Sequence, residues 1–327
     1  MSYLRGKILF YLLAAWAALT ANFAIPRLIP GNPVDAIMAR LQGAQPMPPA
    51  ARQALDIQFG VTNQPLYEQY LKYLDNLAHG NLGLSVTHYP TPVITVLLQA
   101  LPWTLVLVGM ATLVSCILGV VLGALAGARR GSWLDNLIPA GTFLASIPYF
   151  WLALILLYFL AEVVKVFPLS GGYSYDTEIG FNAPFLASAA YHAVLPALTI
   201  VVSSIAGWTL GMRNMMVSSM ADDYVLTAQA KGLKRYRIMI SYGARNAVLP
   251  SIAGFATSLG FVVSGSIITE TVFSYPGIGF TLLQAVQNSD YSLMQGIFLV
   301  ISFTILGANF LVDLLYAVID PRTRQAA

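Results

Sequence analysis

Charged residues are scarce in this sequence. Asp, Glu, Lys and Arg make up 9% of the 327 residues, whereas 57% are hydrophobic, and the mean hydropathy is +0.70. Long uncharged stretches with this composition are typical of a chain that crosses a membrane several times. Rules that estimate the number of soluble domains from chain length therefore do not apply to this chain. A lipid bilayer is an expected partner, and a nucleic acid is not.

Motifs for covalent or metal chemistry are also missing. The sequence has no P-loop, no H-E-x-x-H, no CxxC pair and no G-x-S-x-G, so it predicts no catalytic residue, no metal site and no cofactor in this chain. The single cysteine, Cys116, cannot form an internal disulfide. His79 and His88 lack the spacing of metal ligands. We therefore expect that this chain is not an enzyme.

Titratable groups are nearly absent from the apolar stretches. Asp313 is the clear exception, and its expected role is structural, through Arg322 or Arg324 or through interfacial water. Glu162 and Glu270 lie near the ends of other stretches. Proton-coupled transporters generally need ionisable groups inside the bundle, so the energy for any transport by this chain must come from elsewhere.

Six stretches are long and apolar enough to form membrane-spanning helices. The predicted fold is an all-α integral membrane protein with six transmembrane helices, of which Pro139, Pro148 and Pro196 interrupt the third and fourth. The predicted organisation is a first transmembrane helix at 1–29, an extracytoplasmic segment at 30–100 and a five-helix transmembrane domain at 101–327. The predicted spans are 8–25, 104–128, 137–161, 193–212, 248–268 and 293–318.

Basic residues predict the orientation of these helices. Six spans place both termini on one side, together with twelve of the 17 Lys and Arg residues. Both termini are therefore expected in the cytoplasm. The alternative is a cleaved signal peptide after Arg5 and Lys7, but its removal would leave five spans and break this charge distribution.

The segment after the first span contains one predicted helix. In "PLYEQYLKYLDNLAHGNLGLS", Leu66, Tyr70, Tyr73, Leu74 and Leu77 share one helical face, which ends before a glycine. This pattern predicts a small cap that folds against the membrane domain.

Three glycines recur every four residues in the second span. Gly119, Gly123 and Gly127 form two overlapping small-xxx-small units, which allow the backbone of another helix to approach closely. We expect this face to serve helix packing.

The stretch "DDYVLTAQAKGLKRYRIMISYGARNAVLP" carries seven of the charged residues, which total 17 basic and 14 acidic. Asp222 or Asp223 can cap a first helix, which Lys231 and Gly232 end, and a second helical run is expected over 233–246. We call this helix-turn-helix segment, residues 222–250, the knuckle. A lipid-binding loop is the alternative interpretation of its basic residues.

The order of residues in the knuckle resembles the EAA loop of permease subunits in ATP-binding-cassette importers. "TAQAKG" and "RNAVLP" carry the likeness. Ala228 corresponds to the small helix residue of that motif, Gly232 to its turn glycine, and Leu249 and Pro250 to its closing Leu-Pro. Leu226 stands where the motif has the Glu that gives it its name.

Further blocks in the same order are similar to the dipeptide, oligopeptide and nickel permease subfamily, and they cover nearly the whole chain. These blocks are "IPGNPV", "QYLKYL", "HGNLGLS", "SIPYFW", "ITETVFSYPGIG" and "LVDLLYAVIDPRTR". The resemblance implies a half-channel permease subunit of an importer in a prokaryotic plasma (inner) membrane, most of all for peptides, with oligosaccharides and nickel complexes as alternatives.

The resemblance also implies partners and coupling residues. The partners are a homologous second permease, two ATPase subunits that bind ATP and Mg, and an extracytoplasmic substrate-binding protein. Ala228 is expected to pack against a groove of the ATPase. The implied coupling residues, within a cytoplasmic loop at 214–248, are Asp222, Asp223, Thr227, Ala228, Lys231, Gly232, Leu233 and Arg235.

The translocation pathway is expected between this subunit and its partner permease. Hydroxyl groups that bond to their own helix backbone are the alternative for each of its candidate residues. These candidates are Ser146, Ser203, Ser204, Ser258, Ser264 and Ser266. A secondary transporter or channel without an ATPase, and a membrane-bound enzyme, are the competing function classes.

Overall fold

A computed structural model describes residues 2–28, 64–262 and 267–319. Over these ranges the regular structure is helical, with an isolated bridge between Leu84 and Pro92, which confirms the all-α prediction there. The chain divides into two compact units. The first comprises Met1–Trp103 and Pro276–Ala327, and the second comprises Thr104–Tyr275.

The helices follow one another with short connections in most places. Two segments are π-helical: Leu157–Val163 extends the helix that ends at Leu156, and Met239–Ala244 follows the short helix that ends at Ile238. In chain order the helices are α1 (Ser2–Leu28), α2 (Leu66–Ala78), α3 (Val93–Ala128), α4 (Trp133–Ala145), α5 (Tyr149–Leu156), α6 (Ala183–Ser219), α7 (Asp223–Ala230), α8 (Arg235–Ile238), α9 (Arg245–Ala247), α10 (Leu249–Val262), α11 (Ile267–Val272), α12 (Ile278–Gln287) and α13 (Tyr291–Ile319).

Four of the described helices, α1, α3, α6 and α13, are long and apolar enough to cross a membrane. They correspond to the predicted first, second, fourth and sixth spans. α6 is 37 residues long and continues through Pro196, because a proline can kink a helix without ending it. Pro196 therefore does not divide the fourth span, and a kink at this proline stays a prediction.

The predicted third and fifth spans are not single long helices in the described residues. The third is broken between Ala145 and Tyr149, because Pro148 has φ −52° and ψ 130° and disfavours helical geometry at the residue before it. This break agrees with the predicted interruption of the third span by Pro148. The fifth is represented by the 14-residue α10, and residues 263–266 lie outside the described ranges.

The first unit contains a buried apolar core where α12 and α13 meet the start of α3. Val93, Ile278, Leu293 and Ile297 are fully buried in this core. α1 packs along α13, since both helices present long apolar surfaces.

Asp313 joins α13 to α1. Lys7 Nζ lies 2.6 Å from Asp313 Oδ2, and the Tyr11 hydroxyl donates to the same oxygen at 2.7 Å. This contact agrees with a structural role for Asp313, but its described partner is Lys7. Arg322 and Arg324 lie outside the described residues.

The predicted helix after the first span is α2, and it folds against α1. It ends at Ala78. The Tyr70 hydroxyl lies 2.9 Å from Thr20 Oγ1, and Asn22 Nδ2 donates to the Tyr73 hydroxyl at 3.2 Å. Leu66 is exposed, so the packed face, which is half-buried, begins one turn later than predicted.

A buried carboxylate anchors the chain before α3 to the start of α13. Asp290 Oδ2 accepts hydrogen bonds from Ser85 Oγ at 2.5 Å and from Thr87 N at 2.8 Å. Its Oδ1 accepts from Leu293 N at 3.0 Å and so caps α13. The sequence-based prediction did not include Asp290, although an aspartate directly before an apolar helix is a recognisable start signal.

In the second unit, the three glycines of α3 lie against α6, as predicted. A Cβ added to Gly119 or Gly123 would lie 2.4 Å from Trp208 Cβ or Thr209 O, respectively, and one added to Gly127 would lie 2.7 Å from Arg213 O. No side chain larger than hydrogen fits there without displacement. This close contact holds α3 against α6, the helix that leads into the knuckle.

Candidate coupling site

The knuckle begins with the helix α7. Asp222 occupies the position before its first turn, with an extended backbone at φ −74° and ψ 151°, but its side chain makes no capping hydrogen bond. Asp222 thus occupies the predicted cap position without a side-chain hydrogen bond. Asp223 lies in the first turn, where a negative charge interacts favourably with the helix dipole.

The turn after α7 follows the prediction. Lys231 occupies the C-cap position and Gly232 has a φ of +71°, a left-handed conformation that glycine adopts without steric cost. The backbone N–H of Leu233 donates to the Ala228 carbonyl at 3.3 Å. This turn reverses the chain into the second helical run.

The second run covers residues 235–247 and includes the π-helical segment Met239–Ala244. Ser219 Oγ donates to the Gly243 carbonyl at 3.1 Å, and the Tyr224 hydroxyl lies 2.6 Å from Ser219 Oγ. A Cβ added to Gly243 would lie 2.7 Å from Met216 Cε. The observed run overlaps the predicted run over 233–246, and its wider turn lies against the end of α6.

The knuckle has an apolar core of its own. Val225, Ala228 and Ile238 are buried there, with Tyr224 and Leu233 packed against them. Ala228 is only 2% exposed, so its side chain lies inside the knuckle and cannot itself contact a partner in this conformation. The expectation that Ala228 packs against an ATPase groove is therefore corrected: Ala228 supports the exposed surface from beneath.

The remaining predicted coupling residues divide by exposure. Leu233 is half-buried, and the others are exposed, namely Asp222, Asp223, Thr227, Lys231, Gly232 and Arg235. The structure thus places most of these positions where a partner could reach them.

Four large apolar side chains on the knuckle are also exposed, among them Leu249 at 55%, and the predicted coupling residues did not include them. Leu226 and Ile240 are each 56% exposed, and Tyr236 is 64% exposed. Tyr236 and Ile240 are four residues apart, a spacing that places them on one helical face and that could have identified them. Exposed apolar residues rimmed by charges are typical of a protein interface.

The knuckle is attached firmly to α3 and α6. Met212, Met216 and Ala247 form a buried cluster with apolar residues of all three segments. Arg235 Nη2 donates to the Ala128 carbonyl at 3.4 Å. A force applied to the exposed face of the knuckle therefore reaches two long apolar helices through packed side chains.

An ion pair joins α6 to α4 near the same end. Arg213 Nε and Nη2 donate to the Asp135 carboxylate at 2.9 and 3.3 Å, and Gly131 N donates to it at 2.9 Å. Asp135 precedes the predicted third span. The hydrogen bond from Arg213 lowers the pKa of the Asp135 carboxyl below the usual range. The sequence did not indicate this pair, because 78 residues separate its members.

The described candidate pathway serines do not form a common site. Each donates to a carbonyl of its own or the adjoining helix: Ser146 to Thr142, Ser203 and Ser204 to Ile200, and Ser258 to Phe255. These bonds support the alternative interpretation, in which the hydroxyl groups satisfy local backbone. Ser264 and Ser266 lie outside the described residues. Pathway lining by these serines stays a prediction.

Comparison with known sequences supplies the family. Residues 119–325 match the family described as "Binding-protein-dependent transport system inner membrane component". The chain is 32% identical to the oligopeptide transport system permease protein AppB of Bacillus subtilis, with 92% of each chain covered. It is 34% identical to the di/tripeptide transport system permease protein DppB of Pseudomonas aeruginosa and to the dipeptide permease DppB of Escherichia coli, with 93% of each chain covered.

The family match and the matches to the three relatives each cover more than half of this chain. The matched family consists of transport components, not enzymes. The matched region contains α6, the knuckle and α13. The chain belongs to the family of binding-protein-dependent transport system inner membrane components, as a permease subunit.

Proposed function

We propose that this chain is the permease subunit of an ATP-driven peptide importer and that it receives the force of ATP hydrolysis through the knuckle. The structure of the knuckle supports this proposal. Its own apolar core lies beneath an exposed face, and a second buried cluster joins it to α3 and α6. The relatives are named for oligopeptide, di/tripeptide and dipeptide transport, which favours peptides over oligosaccharides and nickel complexes.

The proposed assembly has four kinds of subunit. This chain pairs with a homologous permease to enclose the pathway, two ATPase subunits bind ATP and Mg, and an extracytoplasmic binding protein delivers the peptide. The proposed topology has six spans in the inner membrane with both termini and the knuckle in the cytoplasm. The distribution of basic residues supports this orientation.

Docking on the ATPase rests on the exposed apolar side chains of the knuckle. Leu226 and Tyr236 can enter an apolar groove, while Lys231 and Arg235 favour an acidic rim. Leu226 replaces the Glu of the family motif, so the contact at this position is apolar in this chain.

The test is reconstitution of the complete complex in proteoliposomes. Peptide uptake should require the loaded binding protein and ATP, and it should survive collapse of the proton gradient while ATP is maintained. The double variant Leu226→Ser with Tyr236→Ser should lower retention of the ATPase subunits about tenfold, the scale of an interface anchor. Ion-driven uptake by this chain alone would instead establish a secondary transporter.

A further inference from the structure

The helix α2 of the first unit carries a stripe of apolar residues along one side. Tyr67, Leu71, Leu74 and Ala78 follow one another at steps of four, three and four residues, which places them on one helical face. Tyr67 is 65% exposed and Leu71 is 62% exposed, Ala78 is exposed and Leu74 is half-buried. We call these four residues the apolar stripe. Exposed large apolar side chains grouped in this way mark a protein or membrane interaction site.

The apolar stripe is distinct from the side of α2 that packs on α1. Tyr70 and Tyr73 form that packed side. The Tyr70 ring meets the Phe23 ring edge to face at a centroid distance of 5.1 Å, and the Tyr73 ring lies 5.5 Å from the same ring. With the hydrogen bonds of the two hydroxyl groups to Thr20 and Asn22, these contacts hold α2 on α1 and leave the apolar stripe exposed.

Charged side chains form a third side of α2. Glu68, Lys72 and Asp75 are all exposed, and their steps of four and three residues place them on one face. The Tyr67 hydroxyl donates to Glu68 Oε1 at 3.1 Å, so the polar end of this ring lies toward the charged side. A helix with separate apolar and charged faces is typical of a segment that lies at a membrane–water boundary, where tyrosine is also enriched.

The contacts with α1 place α2 at such a boundary. The apolar part of α1 that is long enough to cross a membrane is Gly6–Ile25. Thr20 lies five residues before the end of this stretch, a rise of about 7.5 Å, and Phe23 lies closer to the end. The headgroup region adds about 5–8 Å beyond the hydrocarbon core. α2 therefore packs on the last turns of the span, where the core meets the headgroups.

The side of α1 that continues from α2 into the membrane is apolar and exposed. Leu9, Leu13 and Trp16 share a helical face with Thr20, since successive members are three or four residues apart. Each of the three side chains is more than half exposed. Acyl chains surround an exposed apolar face within a membrane span. α2 therefore lies above a lipid-facing surface of α1.

We infer that α2 is an interfacial helix whose apolar stripe inserts into the adjoining lipid leaflet. Tyr67 and Leu71 enter the boundary between headgroups and acyl chains, while the charged side remains in the hydrated headgroup layer. That side has two acids and one base, so apolar insertion, not attraction to anionic headgroups, holds the helix there. Only the crossing of the membrane by α1 is required, so α2 occupies this place in either orientation of the chain and for any transported solute.

Quenching by brominated lipid tests this placement. Cys116 is the only cysteine, so Leu71→Cys in a Cys116→Ala background carries a single environment-sensitive fluorophore on the apolar stripe. Lys72→Cys, at the adjacent exposed position, carries the same fluorophore on the charged side as a matched control. The protein is purified with its partner subunits and placed in nanodiscs with and without brominated phosphatidylcholine. Emission from position 71 should lie to the blue of emission from position 72 and should be quenched several-fold more strongly.

The position of the bromine and the charge of the lipid test the mode of insertion. Bromine near the headgroup end of the acyl chain should quench position 71 more than bromine near the methyl end, because the helix lies at the boundary. The quenching should be equal in neutral lipid and in lipid that contains phosphatidylglycerol. Stronger quenching from the methyl end, or quenching that requires phosphatidylglycerol, would overturn the inference.

Other surroundings of the apolar stripe give different signals. Weak quenching with emission typical of water at both positions would mean that the stripe faces solvent. Blue-shifted emission from position 71 without quenching would mean that another protein subunit covers the stripe. Either result would show that lipid is not the partner of α2.

A double variant tests the side chains themselves. With the fluorophore at Ala78→Cys, the change Tyr67→Ser with Leu71→Ser should reduce quenching several-fold, because the helix loses its apolar anchors. Glu68→Ser with Asp75→Ser is the control and should leave quenching unchanged. Tyr67 and Leu71 are exposed, so the midpoint of thermal unfolding in detergent should match that of the unmutated protein. Equal quenching in both double variants would mean that the apolar stripe does not hold α2 in the leaflet.

Discussion

Arg213 and Asp135 form a two-pronged ion pair that ties α6 to the start of α4, with donor–acceptor distances of 2.9 and 3.3 Å. Arg213 lies one turn before Met216, which packs on the knuckle, and directly beside Gly127 of α3. The pair therefore connects a third helix to the region where α3, α6 and the knuckle meet.

Asp135→Asn should uncouple transport without preventing assembly. The substitution keeps the shape of the side chain but removes its charge, so the guanidinium loses its charged partner and α4 is held less firmly. The measurement is the ratio of peptide imported to ATP hydrolysed, which should fall several-fold. The exchange Asp135→Arg with Arg213→Asp should recover part of that loss, whereas Asp75→Asn, at an exposed position in the first unit, should leave the ratio unchanged.

The same pair predicts a direction for pH dependence. The pKa of the Asp135 carboxyl is lowered in the folded protein, so its contribution to stability is complete above the ordinary aspartate pKa of about 3.9. That contribution is lost only as the pH falls through the lowered value. Coupling should therefore show no pH dependence from Asp135 between pH 6 and pH 8, and Asp135→Asn should leave any profile in that range unchanged in shape.

Gly123→Ala should destabilise the second unit, while Gly207→Ala should not. A Cβ at Gly123 would lie 2.4 Å from the Thr209 carbonyl oxygen, whereas nothing lies within 4 Å of one at Gly207. Overpacking against a backbone costs about 1–3 kcal/mol, and alanine in an open helical position gains up to about 1 kcal/mol over glycine. Thermal unfolding of the purified complex in detergent should show a lower midpoint for the first variant only. Equal midpoints would mean that α3 and α6 are not in close contact.

The glycine contact shows how far local sequence patterns determine this fold. Gly119, Gly123 and Gly127 predicted a close helix contact because a four-residue spacing fixes one helical face, and Gly232 predicted a left-handed turn for a similarly local reason. Ala228 and Asp222 show the limit. Whether a small residue faces a partner or an internal core depends on the second helical run, and whether an aspartate caps its helix depends on its rotamer.

Contacts between distant segments explain most of what the sequence did not predict. Asp135 with Arg213, and Asp290 with Ser85, are pairs whose members lie 78 and 205 residues apart, so no periodic pattern links them. Glu270 is another case. It is fully buried and accepts a hydrogen bond from Thr104 Oγ1 at 2.8 Å, whereas its position near the end of a span predicted only a boundary residue.

Cysteine labelling in the Cys116→Ala background tests the proposed orientation. A cysteine at Glu178 should react with a membrane-impermeant reagent in intact cells, because the loop between α5 and α6 is proposed to lie outside. A cysteine at Tyr236 should react only after the cells are opened. Both side chains are exposed in the structure, so accessibility within the protein does not limit either reaction. Labelling of position 236 from outside would reverse the topology and remove the knuckle from the cytoplasmic ATPase.

Ala228→Asp and Thr227→Asp are adjacent variants that separate the inner core of the knuckle from its surface. Ala228 is 2% exposed and packs with Val225 and Ile238, so an aspartate there would bury an unpaired charge, at a cost on the order of 1–3 kcal/mol or more. The knuckle should lose its fold, and both retention of the ATPase subunits and peptide-stimulated ATP hydrolysis should fall about tenfold or further. Thr227 is exposed, so the same charge at that position should leave the knuckle folded and reduce retention of the ATPase subunits less.

Gly232→Val should resemble Ala228→Asp, because a β-branched residue is strained at a φ of +71°. The membrane helices lie outside this core, so expression and thermal unfolding of α1–α6 should match the unmutated protein in all three variants. Equal retention of the ATPase in Ala228→Asp and Thr227→Asp, at matched expression, would mean that the buried core does not support the coupling surface.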